Sequence, residues 1–194
     1  MHPDVALASG EVPGLEGWNI GSSEVGRLAS DSGRFYINDV LEKSDPGEYR
    51  SFGLAADVQL DVLVVEGRDE FGNGEQFIGL GAVVGDWRRP GEWRLLASPV
   101  PHPRGTNDLM ILGRSGTLAI FPDEKKDWFS DLDTDPDYVS HIWSVLGDKM
   151  AKVVDGVAYI WSESGSYPCW GKFAPVGDMV AIYVDLDMFT DDEE

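Results

Sequence analysis

Short β-prone runs, each cut by Gly, Pro, Asn or Asp before it reaches helix length, constrain this chain more than any other feature. "MAKVVDGVAYIW" is the clearest case. Met150, Lys152 and Val154 alternate with Ala151 and Val153, then Asp155-Gly156 intervenes, and Val157-Ala158-Tyr159-Ile160-Trp161 leads away. An Asp-Gly pair between two such runs signals a hairpin, because a type I′ turn needs positive φ at both central positions. The reading is two adjacent antiparallel strands over 149–154 and 157–161, with Trp161 pointing into the core; the competing reading is a ligand-facing Trp161 in the open, where Ser162, Glu163 and Ser164 could bind sugar hydroxyls. The same texture recurs along the chain. "GWNIGSSEVGRLASDSGRFYIND" gives short segments at Trp18–Ile20, Glu24–Leu28 and Arg34–Ile37. "FGLAADVQLDVLVVEG" sets Ala56, Val58, Leu60, Val62 and Val64 against Asp57, Gln59 and Asp61, so Val58, Leu60, Val62 and Val64 are expected on one buried face. "FIGLGAVVGDW" is a glycine-spaced strand, and "DWRRPGEWRLLAS" a turn and a strand. "LMILGRSGTLAIF" reads as a hairpin across Gly113-Arg114-Ser115-Gly116, and "MVAIYVDLDMF" as the last strand. The 23 glycines and 11 prolines supply the turns that so many strands need.

One segment fits two periods. In "TDPDYVSHIWSVLG" a helix would have Asp135 as N-cap, Pro136 at N1 and Gly147 just past its end, with Tyr138, Ile142, Val145 and Leu146 on one face. A strand would put Val139, His141, Trp143 and Val145 on one face instead. Both readings stay open, and either leaves the chain all-β: an antiparallel β-sandwich, jelly-roll-like, with at most one or two short helices. Residues 1–14 read as a flexible or docking N-terminal arm, 15–188 as a single sandwich domain, and 189–194 as an acidic tail.

The charge narrows the partners. With 35 Asp and Glu against 15 Lys and Arg, the net charge is −20. No basic stripe could release phosphate counterions, so direct nucleic-acid binding is not expected, and an anionic membrane would repel the chain. Acidity suits cation binding, a basic protein partner or mimicry of nucleic acid. Cys169 is the only cysteine, so no disulfide forms within these residues, and it reads as a small buried hydrophobe. "MHPDVALASGEVPG" lacks the basic and apolar regions of a secretory signal, and no stretch approaches 18 apolar residues. A role outside the cell therefore implies arrival within a virion or similar particle; the alternative location is the cytoplasm.

Seven tryptophans invite sugar stacking, since an indole offers a flat apolar surface with a donor edge. Trp87, Trp93 and Trp128 lie in polar, turn-rich sequence. Tyr167 and Trp170 lie in "SGSYPCWGKF", which reads as a loop. These five are the candidate ligand-binding residues, ahead of Trp143 and Trp161; the competing reading for each is a core or loop anchor. "SDLDTDPDY" places Asp131, Asp133, Asp135 and Asp137 at every second position, a spacing that can wrap calcium. Pro136 and Ile142 stand where an EF-hand needs Gly and Glu, and a solvated acidic loop is the competing reading. Catalytic signals are missing. His2, His102 and His141 share no metal-ligand spacing, and there is no nucleophile elbow or P-loop. No enzyme activity is expected, and no cofactor beyond calcium.

The order of segments carries a resemblance. "EYRSFGLAADVQLDVL", "EQFIGLGAVVG", "GDKMAKVVDGVAYIW" and "PVGDMVAIYVDLD" follow one another as in the concanavalin-like (laminin-G-type) jelly roll, which the chain resembles over about residues 15–188. The acidic insertion at 122–137 departs from that pattern. The resemblance implies a non-enzymatic structural or glycan-binding module of an extracellular assembly, foremost a bacterial-virus tail or other virion protein. Its implied partners are other virion or assembly proteins, copies of itself in a homo-oligomer, and a cell-surface glycan. Glycanases on that scaffold carry a Glu-x-Asp-x-x-Glu strand; Asp57, Asp61 and Glu66 do not fit it, so a glycan would be bound without turnover. The alternative is an acidic soluble inhibitor, a nucleic-acid mimic or immunity-type protein that blocks a basic site on a partner protein.

Overall fold

The computed structural model describes residues 1–8, 10–11, 17–40, 50–55, 60–69, 77–96, 110–113, 115–127, 137–147, 149–163 and 165–186. Within them lie the strands β1 (Gly10–Glu11), β2 (Trp18–Leu28), β3 (Arg34–Asp39), β4 (Arg50–Gly53), β5 (Leu60–Asp69), β6 (Phe77–Gly85) and β7 (Glu92–Leu95). The others are β8 (Met110–Gly113), β9 (Thr117–Pro122), β10 (Ala151–Val154), β11 (Val157–Trp161), β12 (Gly165–Phe173) and β13 (Met179–Asp185). Helix α1 (Pro3–Ala6) precedes them, and α2 (Tyr138–Leu146) lies between β9 and β10. No helix among the described residues is long and apolar enough to cross a membrane.

The strands form an all-β antiparallel sandwich. One sheet runs β1-β2-β5-β6-β13-β12-β7, with β8 also paired to β12; the other runs β10-β11-β9-β3-β4. Between them Leu60, Val62, Ala82, Val84, Ile182 and Val184 meet Phe35, Ile37, Leu118, Ile120, Ala158 and Ile160. The outer faces are covered too. Tyr138, Ile142 and Leu146, spaced four apart, place α2 on Tyr36, Phe121, Val157 and Tyr159 of the five-stranded sheet. The other sheet carries Ile20, Val65, Val83, Ala181, Tyr183 and Trp93 on its outside, under Ala6 of the N-terminal segment. Central strands buried on both faces read as continuous apolar runs, which is why "TLAIF" and "VAIYV" show no alternation.

The Asp155-Gly156 hairpin forms as expected. Ala151 faces Ile160, Val154 faces Val157, and both turn residues have positive φ, 52° and 78°. Other expectations need correction. Trp161 is 37% exposed and does not enter the core, because Ala158 and Ile160 take the inward positions and the odd residues face out. The 113–116 turn is not a hairpin: β8 pairs with β12 while β9 pairs with β11 and β3, so the chain changes sheets there. Gly165–Phe173 of "SGSYPCWGKF" is not a loop but β12, with Pro168 opposite Met110. The segments at 18–20 and 24–28 are one strand, β2, carrying a bulge between Glu24 and Gly26. Along β5, Leu60 and Val62 point into the sandwich as expected, but Val65 is buried on the opposite face, since that face is covered. Val58 lies outside the described residues. Of the two periods open at 138–146, the helical one is adopted; its N-cap is Asp137, while Asp135 and Pro136 lie outside the described residues.

Candidate functional site

Three of the five candidate ligand-binding residues come together, but as a packed layer. Trp87, Trp93 and Trp170 gather with Trp18 on the outside of the larger sheet. Trp93 is 7% exposed, sits edge-on to Tyr183 with ring centroids 6.4 Å apart, and has the Lys172 ammonium 5.5 Å from its ring centre. Lys172 also donates to the Trp87 carbonyl at 2.6 Å, and Arg88 lies over the Trp87 ring at 4.4 Å. His2 meets the Trp170 ring edge-on at 4.7 Å, and the Met1 ammonium pairs with the buried Asp185 carboxylate. The N-terminal segment thus occupies the surface a sugar would need. Tyr167 is a core residue: it is buried against Cys169, and its hydroxyl donates to the Glu163 carbonyl. Burial pushes its pKa up, and the nearby Glu163 and Asp39 charges act in the same direction. Trp128 lies outside the described residues.

The open aromatic surface is elsewhere. Trp143 is 54% exposed, on the side of α2 turned away from the sheet. Trp161 is the last residue of β11 and stands on the same outer face as Tyr159, past the point where α2 ends. The two indoles line one cleft of ≈ 190 Å³ with Ser115, Gly116, Leu146, Gly147 and Lys149.

Backbone hydrogen bonds fix this cleft. Gly147 takes a φ of 60° that stops α2, and its N–H returns to the Trp143 carbonyl at 2.9 Å. The Lys149 N–H donates to the Leu146 carbonyl at 3.1 Å, and the Trp161 N–H to the Met150 carbonyl at 2.8 Å. On the facing side the buried Asp39 carboxylate accepts the Ser115 N–H at 2.8 Å, and the Ser115 hydroxyl donates to the Thr117 carbonyl at 3.1 Å. Gly116, at φ 81°, accepts the Ser162 N–H at 3.0 Å. Lys152 donates to the Val145 carbonyl at 3.1 Å, where a cation complements the negative end of the helix dipole. The cleft therefore offers two aromatic faces, a serine and a lysine on a hydrogen-bonded backbone frame. The sequence did hold a signal for it. In the helical reading Trp143 falls among Ser140, His141 and Ser144, off the Tyr138-Ile142-Leu146 stripe.

Of the calcium candidates, Asp131, Asp133 and Asp135 lie outside the described residues, and Asp137 is exposed at the start of α2. Among the described residues no three His, Cys, Asp or Glu side chains are grouped to hold a metal ion. No family model, curated protein or solved structure matches the chain, so the resemblance to the concanavalin-like jelly roll rests on the residue pattern alone.

Proposed function

We propose that the protein is a non-enzymatic glycan-binding module whose site is the cleft between Trp143 and Trp161. The observation that carries this reading is two exposed indoles, brought from a helix and a strand to one cleft with polar neighbours. Pyranose rings present apolar C–H faces that stack on indoles, and their hydroxyls suit hydroxyl and ammonium partners. The cleft is smaller than the roughly 300–1,000 Å³ of sites that enclose a whole drug-sized ligand. It suits one ring of a longer chain, with the rest of the glycan outside. The setting we propose is an extracellular assembly such as a bacterial-virus tail, on the strength of the segment order.

The test is a glycan array probed with the full chain, followed by titration of the ligands found. Trp143→Ala and Trp161→Ala should each weaken binding about tenfold, the loss expected when about 1.4 kcal/mol of stacking is removed. Trp143 is 54% exposed, so Trp143→Ala should keep a melting temperature close to that of the parent protein, while Trp161, at 37%, is more than half buried and Trp161→Ala should lower it. Trp93→Ala should instead lower stability by roughly 3–5 kcal/mol, as truncation of a buried aromatic does. An array with no bound glycan, or binding that survives both cleft substitutions, contradicts the reading.

A further inference from the structure

We infer that the cleft selects an anionic sugar, a ring bearing a carboxylate or sulfate, and that Lys149 is the residue that selects it. This rests on the glycan reading above and adds the charge of the ligand. The chain has 35 Asp and Glu, yet none is among the described residues that line the cleft. Among the described residues Lys149 brings the only formal charge in that lining, and it is exposed. A second lysine, Lys152, is anchored on the Val145 carbonyl at the end of α2, so its ammonium offsets the helix dipole beside the cleft. Two indoles by themselves would also suit a quaternary ammonium ligand. Lys149 opposes that occupant, because a like charge in the same cleft disfavours a cation and favours an anion.

The net charge of −20 does not reverse this preference. At physiological ionic strength the Debye length is about 8 Å, so charges spread over the rest of the surface are largely screened; the buried Asp39 carboxylate, which accepts the Ser115 N–H at 2.8 Å, is screened less and partly offsets the lysine. Contact with an ammonium in the cleft acts at hydrogen-bond range, where charge-assisted bonds are about twice as strong as neutral ones.

The experiment compares three probes on the full chain by calorimetric titration: hyaluronan oligosaccharide (carboxylate), sulfated chitin oligosaccharide (sulfate) and chitin oligosaccharide (neutral). One or both anionic probes should bind about tenfold more tightly than the neutral one. Lys149→Met should abolish that preference and leave the melting temperature unchanged, while Lys149→Arg should keep it. Raising salt should weaken the anionic probes only. Equal binding of all three, with Trp161→Ala reducing each, overturns the charge preference and leaves the glycan reading standing. A preference that persists in Lys149→Met also overturns it. Binding of none of the probes overturns the charge preference, whereas the glycan reading falls only if the array is empty too.

Discussion

At the scale of single residues, position relative to the covering layer decides what a side chain does. Tyr159 and Trp161 lie on the same face of β11, yet Tyr159 is buried under α2 and Trp161 stands in the open beyond it. Burial pushes the Tyr159 pKa up, and the Tyr138 hydroxyl 3.4 Å away pulls only partly against it. Glu124 shows how an exposed acid can still organise backbone. Its carboxylate accepts N–H groups from Asp31 at 2.8 Å and Ser32 at 3.1 Å, and the Ser30 hydroxyl at 3.3 Å. Desolvation raises its pKa, but the hydrogen bond from its own backbone N–H, together with those from Ser32, Asp31 and Ser30, outweighs it and holds the group below the ordinary glutamate value. A depressed folded-state pKa contributes stability that is present above the unfolded value of about 4.3 and lost as pH falls through the folded value. Glu124→Gln should therefore lower the melting temperature at pH 7. The gap to the parent protein should close as pH falls below about 4. A gap that is unchanged at pH 3 would mean the carboxylate charge is not what holds the turn at 30–32.

At the scale of elements, close packing sets which residues are tolerated. A Cβ added at Gly81 would lie 2.3–2.5 Å from the Tyr183 ring, so β6 leaves a gap that the tyrosine of β13 fills. Gly81→Ala forces that ring or the strand to move and should cost roughly 1–3 kcal/mol, read from denaturant unfolding. Rescue of the loss by a second change, Tyr183→Leu, would confirm the clash; a Gly81→Ala protein of parental stability would contradict it. Such elements were legible where turn chemistry is local, as at Asp155-Gly156, and where one face alone is buried. They were illegible where pairing is non-local. Gly113 and Gly116 flank a turn that looks like a hairpin. Only the distant partners of β8 and β9, Gly165–Pro168 on one side and Asp39 with Trp161 on the other, send the two strands to different sheets. Pro168 likewise argued for a loop, because the sequence does not reveal that its neighbours pair with β8.

At the scale of the whole molecule the sandwich is wrapped on both sides, by α2 on one sheet and by residues 1–8 on the other. This explains why the tryptophans in polar sequence were misplaced as a site. Trp87, Trp93 and Trp170 sit among charged residues in the chain, but the N-terminal segment folds back over them, a contact across about the full length of the chain that no local pattern encodes. Trp143 and Trp161 sit in apolar sequence, yet Trp143 is on the side of α2 away from the sheet and Trp161 lies beyond the part of its face that α2 covers. The wrapping leaves the aromatic cleft at Trp143 and Trp161 open, and the account turns on it. The most direct measurement follows the indole N–H signals of the seven tryptophans by NMR during titration with a glycan selected on the array, each signal assigned by a Trp→Phe variant. The account predicts that the Trp143 and Trp161 signals shift together and saturate, while those of Trp18, Trp87, Trp93 and Trp170 stay in place. Shifts confined to Trp87 and Trp170, with Trp143 and Trp161 unmoved, would contradict it and place the ligand under the N-terminal segment.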